Sequence, residues 1–373
     1  MTVPQGAEDG TRACDECLRR SWLLSRLSVP LDYRAGDRPR LRELLALEDE
    51  TLLQALAGRR REQLGAEFRA FDPSMVATRS GVEAICRHRS SYPSQLRDDR
   101  VSPPLLNVSG GGERLGELTE GLVVAIVGSR RASDYGVEMA RNLGRGLAAS
   151  GVTVTGVLAD GIAAAALRGA LDAHGATIVL LGDGLSISPA ARRRVLYSRA
   201  LAGGCAVSEL PHDCRGRRWG AVAAERTVAR LASLIIVVEA QEQSEDLGIA
   251  QDAQGLGCHL GAVPGRVTSP LSAGTHALLM EGASLVRGPQ DALDLLDHQP
   301  RGNEDRATGD AHEGLEPRLA RILEQVSIGR DTPDQLAAEG SDSADVLLAL
   351  SELELLGLLG RGDGGRYVPR PFA

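Results

Sequence analysis

The sequence contains no lysine: all 42 of its basic residues are arginine. Alongside abundant alanine and glycine, this reads as the product of a GC-rich coding sequence. Arginine also suits phosphate recognition, because its planar fork meets two oxygens at once. Aromatic residues make up only 3% of the chain, so a core has to be built from Ala, Val, Leu and Ile. No apolar run reaches the roughly 18 residues of a membrane-crossing helix. The polar, acidic first ten residues lack the apolar centre of a signal peptide, and the expectation is a cytoplasmic protein with no membrane partner. Catalytic signatures are missing too: there is no GxSxG, HExxH or Walker sequence. His174, His212, His259 and His276 read as loop or packing histidines. No catalytic residue and no enzymatic activity are expected.

The remaining composition is that of an ordinary globular protein, 43% hydrophobic and 25% charged. At about 150 residues per domain, 373 residues suggest two or three domains. A net charge of −8 argues against a generally adhesive nucleic-acid binder but leaves room for a local basic groove. The six cysteines are scattered, and Cys14 and Cys17 alone form a CxxC pair. That is half a zinc site, since a structural site needs four ligands. Cys86 and His88 are able to complete one, but the favoured reading is a pair of ordinary reduced thiols at a helix start, with no metal and no cofactor.

Four segments follow from the pattern. Residues 1–80 read as a small helical domain, with Trp22-Leu23-Leu24, Leu27, Leu41, Leu44, Leu45, Leu47, Leu52, Leu53 and Leu56 at helical spacing and breaks at Pro30 and 36–39. Tyr92-Pro93 and Pro103-Pro104 mark an irregular connector. Residues 81–296 form the main domain, in which short apolar runs alternate with helical segments. Strands are predicted at 122–127, 152–155, 177–181, 205–208, 234–238 and 259–263, and helices at 136–150, 163–173, 190–201, 221–230 and 247–256. Repeated strand–helix order with buried-type strands predicts an α/β fold, a Rossmann-like doubly wound parallel sheet, which takes ligands at the carboxyl ends of its strands. The polar stretch 297–314 reads as a linker. Residues 315–373 read as three helices and a hairpin, a C-terminal winged-helix domain, with Leu347, Leu350, Leu353 and Leu355 as core candidates.

The chemistry concentrates at turns. Gly128-Ser129-Arg130-Arg131 follows a strand and precedes a helix, where backbone amides face an anion, Ser129 adds a hydroxyl, and Arg130 can clamp a phosphate through two hydrogen bonds. Gly156 and Gly161 lie at a second such turn, with Asp160 placed to repel phosphate; Gly182-Asp183-Gly184 is a third. Further on, Arg215, Arg217, Arg218, Arg226 and Arg230 surround Trp219. That is either a single-strand binding stretch, by phosphate pairing and base stacking, or a solvated loop with Trp219 in the core. Arg192-Arg193-Arg194 and Arg199 read as a solvated helix face. The nucleic-acid contacts expected are therefore Gly128, Ser129, Arg130, Arg131, Gly156, Gly161, Arg217, Arg218 and Arg226.

Several ordered motifs, Val127-Gly128-Ser129-Arg130, Tyr135-Gly136, Gly156 through Ile162, Arg168-Gly169-Ala170-Leu171, Ser208-Glu209-Leu210-Pro211, Val263-Pro264-Gly265 and Ser272-Ala273-Gly274-Thr275, resemble the DNA-processing DprA/Smf family. The resemblance spans about residues 80 to 296. It implies a protein that binds single-stranded DNA entering during natural transformation, protects it, helps load a RecA-type recombinase, dimerises through the Rossmann domain and has no established catalytic activity. The chain departs from the family pattern where it matters. Thr155 stands for a serine, Asp160 for an arginine, Ala163 for an aspartate and Leu167 for a histidine. In the block 221–232 Arg226 alone survives of the arginines, and Glu225 replaces an asparagine. The block 244–250 carries Glu245 and Asp246. These exchanges predict a kept fold with weakened phosphate binding. They also leave two alternatives: a diverged paralogue acting as an interaction scaffold, and a nucleotide-processing enzyme similar to the phosphoribohydrolases, whose Pro-Gly-Gly-x-Gly-Thr turn has only Ser272-Ala273-Gly274-Thr275 as its nearest match. The tail, poor in basic residues on its third helix, reads as a protein-contact module.

Overall fold

The computed structural model describes residues 13–75, 81–97, 101–242, 244–256, 258–297, 316–327, 332–337, 343–355, 359–361 and 367–369. The expected linker, apart from Asp297, lies outside the described residues. The chain divides into two units, residues 1–299 and 300–373.

The first unit opens with five helices: α1 (Asp15–Arg26), α2 (Ser28–Arg34), α3 (Arg38–Leu45), α4 (Asp49–Leu56) and α5 (Arg61–Ala70). Next come β1 (Val82–Cys86), α6 (Ser94–Arg97), β2 (Leu105–Ser109), α7 (Gly112–Glu120), β3 (Val123–Val127), α8 (Asp134–Ala149), β4 (Thr153–Val157) and α9 (Ile162–Asp172). The unit continues through β5 (Thr177–Leu180), α10 (Ala191–Gly203), β6 (Cys205–Ser208), α11 (Arg217–Leu231), β7 (Leu234–Val237) and α12 (Gly248–Leu256). It closes with β8 (His259–Ala262), α13 (Ala273–Met280), β9 (Ser284–Leu285) and α14 (Pro289–Asp297).

The nine strands form one sheet in the order β1-β2-β6-β5-β4-β3-β7-β8-β9. From β6 to β9 all neighbours are parallel. β2 runs against them, pairing antiparallel with both β1 and β6. The sheet is therefore mixed, not wholly parallel, and the two extra strands flank the Tyr92–Pro104 stretch that the sequence suggested was irregular. The connector's own content is fixed by Tyr92, buried to 1% with its hydroxyl donating to the Pro103 carbonyl at 2.5 Å.

The strand residues alternate between two cores, as a sheet covered on both faces requires. On one face Val124, Ile126, Val154, Val179 and Ile236 pack against α8, α9, α10 and α14. On the other Ala125, Val127, Ile178, Leu180, Ile235 and Val237 pack under α7, α11 and α12. A third cluster joins the N-terminal helices to the sheet unit. Leu23, Leu27, Leu31, Leu41, Leu52 and Leu64 surround Leu210, Trp219 and Ala223. Each fully buried leucine in it contributes about 2 kcal/mol from the area removed from water. This seating brings α3 alongside α11 and α12, which matters for the site.

The second unit contains α15 (Pro317–Ser327), α16 (Pro333–Ala337), α17 (Ser343–Leu355) and an antiparallel pair, β10 (Leu359–Arg361) and β11 (Tyr367–Pro369). Its core includes Leu319, Ile322, Val326, Val346, Leu350, Leu353 and Tyr367. Two of the four leucines expected there are outside it. Leu347 is 48% and Leu355 88% exposed, because the buried stripe of α17 steps through 346, 349, 350 and 353 at helical spacing.

Candidate nucleic-acid interface

The parallel strands switch direction of succession between β3 and β7, the place where such sheets open a crevice at their carboxyl ends. Three turns meet there. At Gly128, φ is 146°, and a Cβ would collide with the carbonyl oxygen of Glu239, which follows β7. The Ser129 N–H donates to that oxygen at 2.7 Å, and the Ser129 carbonyl accepts from the Ile162 N–H at 3.1 Å. Gly161 has φ 70° and ψ −132°, and a Cβ on it would run into the same Ser129 carbonyl. The glycines at 128 and 161 thus let three chain segments touch backbone to backbone. Gly156, expected at the binding edge, is instead buried within β4, with ordinary packing space around it.

The N-terminus of α8, where the sequence places a phosphate, already holds an anion. The Glu239 carboxylate accepts from the Ser133 N–H at 2.9 Å and the Ser133 hydroxyl at 2.5 Å. It lies so close to Gly136 that a Cβ there would strike it, and the residue is 3% exposed. Ser133 in turn caps the helix by accepting from the Gly136 N–H at 3.1 Å. The positive end of the helix is neutralised from within the chain. Ser129, expected as a phosphate donor, is buried, and its hydroxyl accepts from the Arg131 N–H at 3.2 Å.

The cations form a band around this closed crevice. Arg130 projects at the rim, 56% exposed, 3.6 Å from Glu225. Glu225 is also bound by Arg38 of α3. Arg38 reaches Asp252 of α12 at 2.5 Å, and Arg42 reaches the same carboxylate at 3.3 Å. On the far side of Gly161, which abuts the Arg130 backbone, Asp160 is gripped by Arg192 and Arg193, each at 2.7 Å. Those hydrogen bonds, Arg193's foremost, hold the Asp160 carboxyl well below the usual carboxylate range. Burial pushes Glu225 the other way, upward, against the pull of Arg38. Arg131 is exposed, and its guanidinium makes no hydrogen bond or ion pair among the described residues. Asp160 and Glu225, two of the acids expected to repel phosphate, are therefore each paired by two arginines. Arg38, Arg42, Arg192 and Arg193 are the contributors that sequence reasoning missed or set aside. The dense Arg38-Pro39-Arg40-Leu41-Arg42 run was the available signal.

Other expected contacts fall elsewhere. Arg226 is buried: it pairs with Glu209, both side chains 6% exposed. It also donates to the Val101 carbonyl at 2.6 Å and lies 5.3 Å from the Trp219 ring. Trp219 is 1% exposed and belongs to the core, not to a stacking platform. A buried, fully paired guanidinium cannot reach a phosphate, so Arg226 is a structural residue. Arg217, with a positive φ of 47°, and Arg218, in a surface pair with Glu245 at 2.5 Å, stay exposed at the start of α11.

Comparison with known proteins places this geometry. Residues 83–297 match the model of the family described as DNA recombination-mediator protein A. A putative DNA processing protein DprA of Mycobacterium tuberculosis is 34% identical over 282 residues, covering 72% of this chain and 70% of that protein. Protein Smf of Escherichia coli is 33% identical over 283 residues, covering 74% of each. The X-ray structure of DNA processing protein A from Streptococcus pneumoniae superposes with a TM-score of 0.59 at 26% identity, covering 74% of this chain and 95% of that one. DNA processing protein A from Helicobacter pylori, a structure described for its single-stranded DNA binding mode, superposes with a TM-score of 0.50 at 25% identity over 58% of this chain and 95% of that one. The chain belongs to the DNA recombination-mediator protein A family, the DprA/Smf proteins.

Proposed function

We propose that this protein binds single-stranded DNA along the arginine band, acting by binding rather than by catalysis. The observation that carries the reading is the run from Arg192 and Arg193 through Arg130 and Arg131 to Arg42, with Arg38 beneath the rim holding Glu225 and Asp252, in which arginines outnumber the carboxylates they hold. A flexible strand is suited to such a rim, because its phosphates can follow shallow, spaced cations. The Helicobacter pylori relative, described with single-stranded DNA, favours the same ligand. Within the band Arg130 and Arg131 are the expected contacts that remain, joined by Arg217 and Arg218 at its margin. The fuller reading follows the family: protection of incoming DNA in the cytoplasm, loading of a RecA-type recombinase, a homodimer joined through the sheet domain, and a winged-helix C-terminal unit serving as a protein contact.

A second reading, an interaction scaffold with little DNA affinity, is favoured by the Glu239 carboxylate at α8 and by the loss of Arg226 to the interior. One titration separates the two. A labelled oligo-dT strand is titrated with the full-length protein at two salt concentrations. Submicromolar, salt-sensitive binding that Arg130→Ala weakens supports the first reading; no binding at low salt refutes it.

A further inference from the structure

The start of α1 and the end of β1 bring four metal-ligating side chains together. Cys14 caps α1, and Cys17 sits in its first turn. Cys86 ends β1, and His88 lies in the turn after it. Cys14 and Cys86 are 72 positions apart in sequence, yet the Cys14 N–H donates to the Cys86 sulfur at 3.5 Å. One ligating atom from each of the four residues lies within 4.8 Å of all the others. The His88 Nδ1 is 3.2 Å from the Cys14 Sγ and 3.5 Å from the Cys17 Sγ.

These separations can be compared with a coordination sphere. Zinc bonds of about 2.3 Å to sulfur and about 2.0–2.1 Å to nitrogen, set at tetrahedral angles, give edges of about 3.5 Å from nitrogen to sulfur and about 3.8 Å between sulfurs. The separation of His88 from Cys17 falls at that value, and its separation from Cys14 is a little inside it. A two-iron cluster would need its ligands spread over two centres, wider than this set. Soft thiolates with one imidazole suit zinc over magnesium, calcium or manganese. Cys17 and Cys86 are buried and Cys14 half-buried, among Ala13, Leu18 and Leu105, whereas His88 is exposed. A closed, four-ligand, mostly buried set is the pattern of a structural site, with no open position for substrate.

We propose that Cys14, Cys17, Cys86 and His88 bind one tetrahedral Zn2+ ion that fastens the N-terminal helices to the edge of the sheet. Binding displaces the thiol protons and leaves three thiolates and a neutral imidazole on the metal. The ion closes a long loop, and what it anchors is useful to the interface: the same helical segment carries Arg38 and Arg42. The sequence reading named Cys86 and His88 as able to complete the CxxC pair but favoured ordinary reduced thiols; the fold brings the four side chains together.

The test is metal analysis of the full-length protein, purified under reducing conditions without added chelator. One zinc per chain is expected. After removal of the metal, Co2+ titration is expected to give the intense visible and thiolate charge-transfer bands of a tetrahedral sulfur site, saturating at one equivalent. His88→Ala, an exposed change that spares the core, should weaken zinc binding by more than the about 10–100-fold that loss of a supporting partner alone costs, and His88→Cys should restore it. Chelation should lower the Tm of the wild-type chain and leave that of a Cys14→Ser/His88→Ala variant unmoved. Absence of both zinc and the cobalt spectrum in the folded, reduced wild-type protein overturns the proposal. So does a Cys17–Cys86 disulfide in the protein as isolated, or zinc retained one-to-one by the double variant.

Discussion

Replacing Asp160 with asparagine probes the arginine band most directly. The carboxylate accepts from Arg192 and Arg193 and occupies part of the charge both would present to a phosphate. Arg38, Arg42, Arg130, Arg131, Arg192 and Arg193 stand against Asp160, Glu225 and Asp252, leaving a net of three positive charges. For a single strand, the logarithm of affinity falls with the logarithm of salt at about −0.7 per neutralised phosphate, so the slope for three charges is about −2. Affinity then drops about 20-fold between about 50 and 200 mM salt. Asp160→Asn raises the net to four, the slope to about −3 and the loss to about 50-fold, with tighter binding at the low-salt end. Arg130→Ala moves the slope in the opposite direction by a similar step. The assay is fluorescence anisotropy with oligo-dT across a salt series, with the thermal melt confirming that each variant stays folded. If Asp160→Asn leaves the slope unchanged, Arg192 and Arg193 are off the path of the strand. If the wild-type slope is near −4, the carboxylates do not cancel their partners, and all six arginines face phosphates.

Three further outcomes follow from the geometry. Glu209→Ala leaves the buried Arg226 guanidinium without its anion and should cost about 3–5 kcal/mol, visible as a large fall in Tm; a shift within error would mean the pair contributes nothing. Gly161→Ala combines a glycine-only backbone conformation with a collision against Ser129, and should cost more than the about 1–3 kcal/mol of backbone strain alone, read by chemical denaturation; a neutral result would show that the turn after β4 is not held against Ser129. Glu225 is pushed up by burial, so its charged form is disfavoured in the fold, and the penalty is relieved as pH falls from neutrality through the raised value. Protonation frees Arg130 and leaves Arg38 to Asp252 alone, so DNA affinity at fixed salt should rise as pH falls. Glu225→Gln should bind more tightly at neutral pH and lose that dependence, and an affinity that falls in wild type on acidification would contradict the assignment.

The sheet from β3 to β8 was legible because its strands are short runs of Val, Ile and Leu separated by amphipathic helices, a local pattern. β1 and β2 were not. Val82–Cys86 contains Glu83, Leu105–Ser109 contains Asn107, and both depend on antiparallel pairing at the β6 edge, which no local window records. The site shows the same division. Gly128, Gly161 and Arg130 stand where their turns put them. Arg226 did not, because a guanidinium's burial depends on Glu209 in another segment. A hint was present: Trp219, Ala223 and Arg226 share one helical stripe of α11, and its apolar members point inward. The pairing of Asp160 with α10, and of Glu225 with α3, is a product of tertiary placement. Sequence comparison therefore read both acids as repulsive when their charge is shared.

The Glu239 carboxylate at the head of α8 has a consequence for scale. A Rossmann-like sheet that leaves its switch point open can hold a mononucleotide by one deep, dry phosphate contact. Here that seat is taken by the chain's own side chain, and what remains is a row of arginines at the rim. Such a surface scarcely registers a nucleotide or a dinucleotide. If DNA follows the arginine band as proposed, grip grows with each added phosphate, and the protein should discriminate by polymer length, passing over mononucleotides and responding to a strand long enough to touch several arginines together.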